Sequence, residues 1–161
     1  MAKLNPKVAL NDQIIQAKTF LTKDLKAIPA DKQGTTFDGC SRSALSIVSE
    51  CGGNCAIITK ILQGASGHEM TREEMGALMH PFEVETEENV LAYLEEKSGE
   101  LLRFISECDE DTLGDICPEF PWGQLTRFDV AMVPAGHMMY HDGQLNFIQT
   151  LIGDGDVHWM E

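Results

Sequence analysis

Residues 133–151, VPAGHMMYHDGQLNFIQTL, read as one continuous helix, and two histidines within it decide how the rest of the chain is interpreted. His137 and His141 stand four apart, so on a helix they lie one turn above each other on the same face. Alternating three- and four-residue steps from Val130 through Val133 to Ile148 and Leu151 pass through 137, 141 and 144. The spacing therefore predicts that His137, His141 and Gln144 lie on the stripe facing the core. Three polar side chains in a row on a buried face need partners. A divalent metal is a single partner for two stacked imidazoles. A pair of hydrogen-bonded core histidines, or a buried face displaced by one residue, are the plainer alternatives. The zinc-protease helix motif is excluded, because it needs a glutamate directly after the first histidine and Met138 stands there.

Working outward, three more helical segments precede this one. The first is expected from Leu10 to Ile28, started by Asn11 or Asp12, with Leu10, Ile14, Ala17, Leu21, Leu25 and Ile28 facing inward and Pro29 ending it. Residues 1–9 read as a lead-in, and residues 30–42 as a glycine-containing loop. Ser41 or Ser43 caps the second helix, whose stripe is Ala44, Val48, Cys51, Cys55, Ile58 and Leu62, with Gly64 and Gly67 ending it. Gly52 and Gly53 in mid-helix imply either close approach of another element or a kink. Residues 71–79 give a short extra helix, with Thr71 and Glu74 as a capping box and His80-Pro81 as its stop. Thr86 caps the third long helix, with Leu91, Leu94, Ser98, Leu101, Ile105 and Cys108 inward. The fourth runs from about Thr126 to Leu151, with Pro134 marking a kink or its start. The tail from Gly153 carries Val157 and Trp159, which can pack back. No strand pattern or repeat is present. The expectation is all-α: an antiparallel four-helix bundle with a crossover connection and a short extra helix, spanning 1–161 as one domain.

A metal in such a bundle draws ligands from facing helices. Glu50 is the first candidate for a third donor, a carboxylate on the inner side of an otherwise apolar helix; its alternative is a boundary glutamate reaching solvent. Cys51 and Cys55 are rival donors, four apart on the same helix. With His137 and His141 they would make a closed tetrahedral zinc site, whereas Glu50 with the two histidines leaves a position open for water or substrate. His68, His80 and His158 fall in loops or the tail and are expected to be solvated.

The formal net charge is -14, which argues against nucleic acid or an anionic membrane as partner. No leader peptide and no run of about 18 apolar residues is visible, so the expected location is the cytoplasm. Five cysteines at irregular spacing (Cys40, Cys51, Cys55, Cys108 and Cys117) fit free thiols in a reducing compartment.

The stretch HMMYHDGQLNFIQTLIGD, His137 to Asp154, resembles the DinB-like superfamily of damage-inducible proteins, which includes YfiT-type metal-dependent hydrolases and thiol-dependent S-transferases. The shared pattern is two histidines four apart, then Gly-Gln and an apolar helix ending in Leu-Gly. SALSIVSECGGN, Ser43 to Asn54, resembles the second-helix segment where the family carries a third histidine, and aligning the apolar residues puts Glu50 there. The resemblance implies a four-helix bundle holding nickel or zinc, with His137 and His141 as ligands and Glu50 as a substituted third. A carboxylate in place of an imidazole lowers the site's charge by one and makes a bound water less acidic. The resemblance further implies a low-molecular-weight thiol such as bacillithiol or mycothiol as co-substrate, and a metal-dependent S-transferase or hydrolase acting on a small electrophile. Gln144, Asn54 and Tyr140 are then candidates to orient the ligands or touch a bound molecule, and Asp142 is expected to face solvent. The alternatives are a non-catalytic metal- or ligand-binding bundle of the stress response, and a structural Cys2His2 zinc bundle. Family members often pair, so a homodimer through Met132, Met138 and Met139 is one expectation, and burial of these residues in the core is the other.

Overall fold

The computed structural model describes residues 5–37, 42–65, 70–120 and 123–160. Cys40, Ser41, Gly67, His68 and Trp122 lie outside them. Four long helices carry the fold: α1 (Pro6–Ala27), α3 (Ala44–Leu62), α5 (Glu87–Glu107) and α6 (Arg127–Leu151); α2 (Ala30–Gln33) and α4 (Arg72–Met79) are short. The N-termini follow the capping chemistry of the sequence. Ser43 accepts from the Ser46 amide, and Thr71, Thr86 and Thr126 each form a reciprocal capping box with Glu74, Asn89 and Asp129. Helix α1 starts earlier than expected, because Asn5 caps it by accepting from the Lys7 and Val8 amides and Pro6 fills the first turn, where its missing N–H is harmless.

Helices α1 and α3 are both flanked by α5 and α6 and barely touch each other. Lys7 and Asn11 of α1 reach Cys108 and Ser106 at the far end of α5, and Lys18 reaches Glu95, so that pair is antiparallel. Arg127 donates to the Leu62 carbonyl while Glu50 faces His137 and His141, so α3 and α6 are also antiparallel. Gly52 sits on Tyr93 and Leu94, and Ala56, Thr59 and Lys60 of α3 with its cap Gln63 line a cleft with residues 97–107 of α5, so these two run parallel. The direction of α6 along α1 then follows as parallel too. Two neighbour pairs are thus antiparallel and two parallel, as the expected crossover connection requires. The crossover is the α3–α5 connection, which must return the full length of α3 and carries α4 on the way.

The paired glycines explain how α4 fits. Helix α3 runs unbroken through them, and the close approach of another element is what they allow. A Cβ on Gly52 would lie 2.6 Å from the Tyr93 ring, and one on Gly53 would collide with the backbone of Leu78 and Met79. Tyr93 Oη donates to the Leu78 carbonyl at 2.9 Å and Ser49 Oγ to the Met79 carbonyl at 3.2 Å, which pins the end of α4 there. Helix α3 is long and apolar enough to cross a membrane by composition, but 83% of that window is buried in the bundle, which accounts for its apolarity.

The buried face of α6 is rotated from the expected stripe. Ala131, Pro134, Met138, His141, Asp142, Leu145 and Gln149 are buried, whereas Val133, His137 and Gln144 are half-buried and Leu151 is exposed. On α5 the expected stripe is buried from Leu94 through Ser98 and Leu101 to Ile105, and only at its start does Val90 take the place of Leu91. Met138 is core and Met139 is partly exposed. The tail does pack back: Trp159 stacks on Phe20 with ring centroids 4.7 Å apart, while Val157 stays exposed.

Candidate metal centre

Helix α6 supplies the two imidazoles and α3 the facing groups. The rings of His137 and His141 lie edge to face, centroids 4.4 Å apart. Glu50 Oε1 is 3.7 Å from His137 Nε2 and 3.4 Å from His141 Nε2. The sulfur of Cys51 and a ring nitrogen of each histidine also fall within 4.8 Å of one another. Cys55 is outside that group: one helical turn moves it about 6 Å along the axis. The described residues thus bring one cysteine to the histidines, not the two a Cys2His2 site needs. Asn54 is buried with its Oδ1 unpartnered, but no hydrogen bond ties it to the histidine pair. Tyr140 is exposed, its ring edge-on to His141 at 5.1 Å.

His80 and His158 stand apart from this pair. His80 lies 3.5 Å from Glu85, and His158 is 2.9 Å from Asp154. His158 is therefore paired within the tail rather than simply solvated.

Sequence reasoning missed Arg42, which it placed in a loop. Its guanidinium is ion-paired with Glu50 Oε2, donates to Gln144 Oε1 at 3.2 Å and lies 3.4 Å from His141 Nδ1. Glu50 is therefore bridged: Oε2 faces the guanidinium and Oε1 faces the imidazoles. Arg42 lies two residues before α3, and its distance of eight residues from Glu50 follows no helical period, so no pattern announced it.

Burial holds the His137 pKa down to about 4, helped by His141 and Arg42, and it lowers that of His141 as well. Both rings are neutral at pH 7 and each keeps a lone pair. Both Nε2 atoms are buried and have no hydrogen-bond partner. Two neutral imidazoles whose buried Nε2 atoms are unpartnered and face one carboxylate oxygen suit a divalent cation, whose ligand distances near 2.0–2.2 Å match groups spaced this way. The donor set therefore fits a metal. Burial pushes the Cys51 thiol up, so it joins as thiolate only by losing a proton against that cost, whereas Glu50 already sits beside its guanidinium.

Asp142, expected at the surface, is wholly buried. It points to the other side of α6 and meets Asp24 of α1. Asp24 Oδ2 accepts from Asn146 Nδ2 at 2.6 Å and Trp159 Nε1 at 2.7 Å, and Gln149 donates to the Asp24 carbonyl at 2.9 Å. If both carboxyls were ionised, Asp24 Oδ1 and both Asp142 oxygens would be buried acceptors with no donor. Burial and the Asp24 contact instead raise the Asp142 pKa to about 8, so it keeps its proton at neutral pH and hydrogen bonds its neighbour.

No protein-family profile matches the chain, and no curated protein matches it. Solved structures do. The crystal structure of the colibactin self-resistance protein ClbS in complex with a dsDNA superposes with a TM-score of 0.69 at 21% identity, covering 89% of this chain and 95% of that one. A Streptococcus pneumoniae protein from a structural-genomics programme superposes with a TM-score of 0.67 at 13% identity, covering 92% and 94%. At these identities the likeness establishes the fold alone, a bundle built on four long helices.

Proposed function

We propose that this chain is a DinB-like metal protein in which His137, His141 and Glu50 hold a divalent ion, and that it acts as a metal-dependent S-transferase or hydrolase on a small electrophile. The observation that carries the reading is the convergence of two unpartnered, buried Nε2 atoms on one carboxylate oxygen. A divalent ion held there, zinc or nickel, favours the thiolate of a low-molecular-weight thiol or the hydroxide form of water at neutral pH. The protein's own groups do the rest. His137 and His141 offer neutral nitrogens from a rigid helix, Glu50 supplies the anionic donor, and Cys51 is a further donor within reach. Tyr140 stands exposed beside His141, where an incoming molecule would meet it.

The test is metal content of the purified protein against His141→Ala. A stoichiometric divalent ion in the wild type and its loss in the variant are expected; equal content in both would remove the reading. Transfer of several thiols to monochlorobimane, measured with and without chelator, then separates catalysis from binding alone. Metal-dependent turnover above background is expected, and bound metal without turnover would leave a metal-binding bundle.

The ClbS complex with a dsDNA suggests DNA as a second kind of partner. With 12 Lys and Arg against 26 Asp and Glu, this chain has little cationic surface to exchange for phosphate counterions. A duplex titration at physiological salt is expected to show no saturable binding, and saturation would replace the small electrophile with nucleic acid.

A further inference from the structure

We infer that Arg42 is a positioning residue that selects the tautomer of His141 through Gln144, so that Nε2 rather than Nδ1 carries the lone pair aimed at Glu50 and the ion. This rests on the metal reading for its purpose, but not for its chemistry, which is a property of the metal-free protein.

Three contacts carry it. Gln144 Oε1 lies 2.8 Å from His141 Nδ1, a hydrogen-bond distance, so one of the two atoms must donate. A side-chain amide can be turned either way, and nothing in that pair alone says which end faces the ring. The guanidinium decides it. Arg42 Nη2 is 3.2 Å from the same Gln144 atom, and arginine has only donors. With the amide reversed, two N–H donors would face each other. The atom is therefore the oxygen, it accepts from both sides, and Nδ1 must carry the ring proton. The 3.4 Å approach of Arg42 to Nδ1 is a packing contact between donors that share this acceptor.

The consequence falls on the far side of the ring. In the neutral ring a proton on Nδ1 leaves Nε2 bare, and that atom is buried without a partner 3.4 Å from Glu50 Oε1. Free neutral histidine prefers the opposite form, with the proton on Nε2, which would block a metal. Metal-binding histidines are commonly set in this way by a group on their other nitrogen. Here the same guanidinium also holds Glu50 Oε2, so one residue at the entrance to α3 orients two ligands at once.

The experiment is long-range nitrogen–proton NMR of the metal-free protein with labelled histidine. The wild type is expected to show His141 in the Nδ1–H form. Arg42→Gln removes the guanidinium that holds the amide and should shift His141 toward the Nε2–H form, while Arg42→Lys, still a donor to Oε1, should keep most of the wild-type signal. Gln144→Leu gives the same release should Arg42→Gln fold poorly. In the metal arm, Arg42→Gln is expected to weaken zinc or cobalt binding by roughly 10- to 100-fold, with Arg42→Lys between. A wild-type His141 protonated on Nε2, or a signal that neither Arg42→Gln nor Gln144→Leu moves, overturns the inference. A wild type that shows the Nδ1–H form and binds no metal upholds the inference and refutes the metal reading instead.

Discussion

His141 and Asp142 are neighbours in the chain and both are buried, yet they serve opposite kinds of polar cluster on the two sides of α6. Toward α3, His141 joins His137, Glu50, Cys51 and Arg42, and the ring nitrogens nearest Glu50 are left unpartnered. Toward α1, Asp142 joins Asp24, Asn146, Gln149 and Trp159, and a proton retained on Asp142 satisfies the group from within. The first cluster has an excess of lone pairs and an entrance lined by a half-exposed arginine. The second is closed by the tail, with Trp159 over Asp24. Buried polarity alone does not mark a site; what marks it is acceptors that converge and stay unmet.

Each side of that comparison can be broken. The largest effect is expected from His141→Ala, which should abolish metal binding, whereas Asp142→Asn should leave metal content unchanged; elemental analysis of both variants checks this. Asp142→Asn should act on stability instead. The folded pKa of Asp142, about 8, lies above the usual carboxyl range near 4, so between these values the folded state binds more protons than the unfolded state. The stability of the wild type should therefore fall as pH rises from about 4 to about 8. An amide cannot ionise, so Asp142→Asn should flatten that decline and be the more stable form at pH 8, as read by denaturant unfolding across the range.

The histidine side should respond in the reverse direction. The His137 pKa is lowered to about 4, so below pH 6.5 the unfolded state takes up a proton that the folded state refuses. The metal-free protein should lose up to about 3 kcal/mol between pH 6.5 and 4, and His137→Gln should remove most of this acid sensitivity. The smallest effect is expected at the lid. Trp159→Phe keeps the stack on Phe20 but deletes the N–H to Asp24, at a cost of about 1 kcal/mol in unfolding free energy and no change in metal binding.

Much of the fold was legible. Local signals set the helix ends, because Thr71, Thr86 and Thr126 act on amides three residues away and need no tertiary partner. The buried line of α1, Leu10 to Leu25, is clean because polar residues separate its apolar ones. Helix α6 misled by one residue because its apolar residues spread around most of its circumference, so several stripes fit equally well. The burial of Asp24 and Asp142 had a signal that polarity masked: Asp24 is three residues after Leu21, and Asp142 is four after Met138 and three before Leu145, both on the buried lines. Arg42 had no such signal, since a loop residue has no period and its partners lie 8 and 102 residues away.

The sequence by itself determined four long helices and the placing of two imidazoles one turn apart, because those are consequences of spacing and capping within a few residues. Only the tertiary structure decided that α3 runs parallel to α5, that Glu50 and Cys51 arrive opposite the histidines, that Arg42 braces them, and that Asp142 turns to Asp24. Those outcomes depend on which helices become neighbours and in what rotation. Packing settles both by burying the most apolar surface at once, a choice that no local stretch of chain encodes.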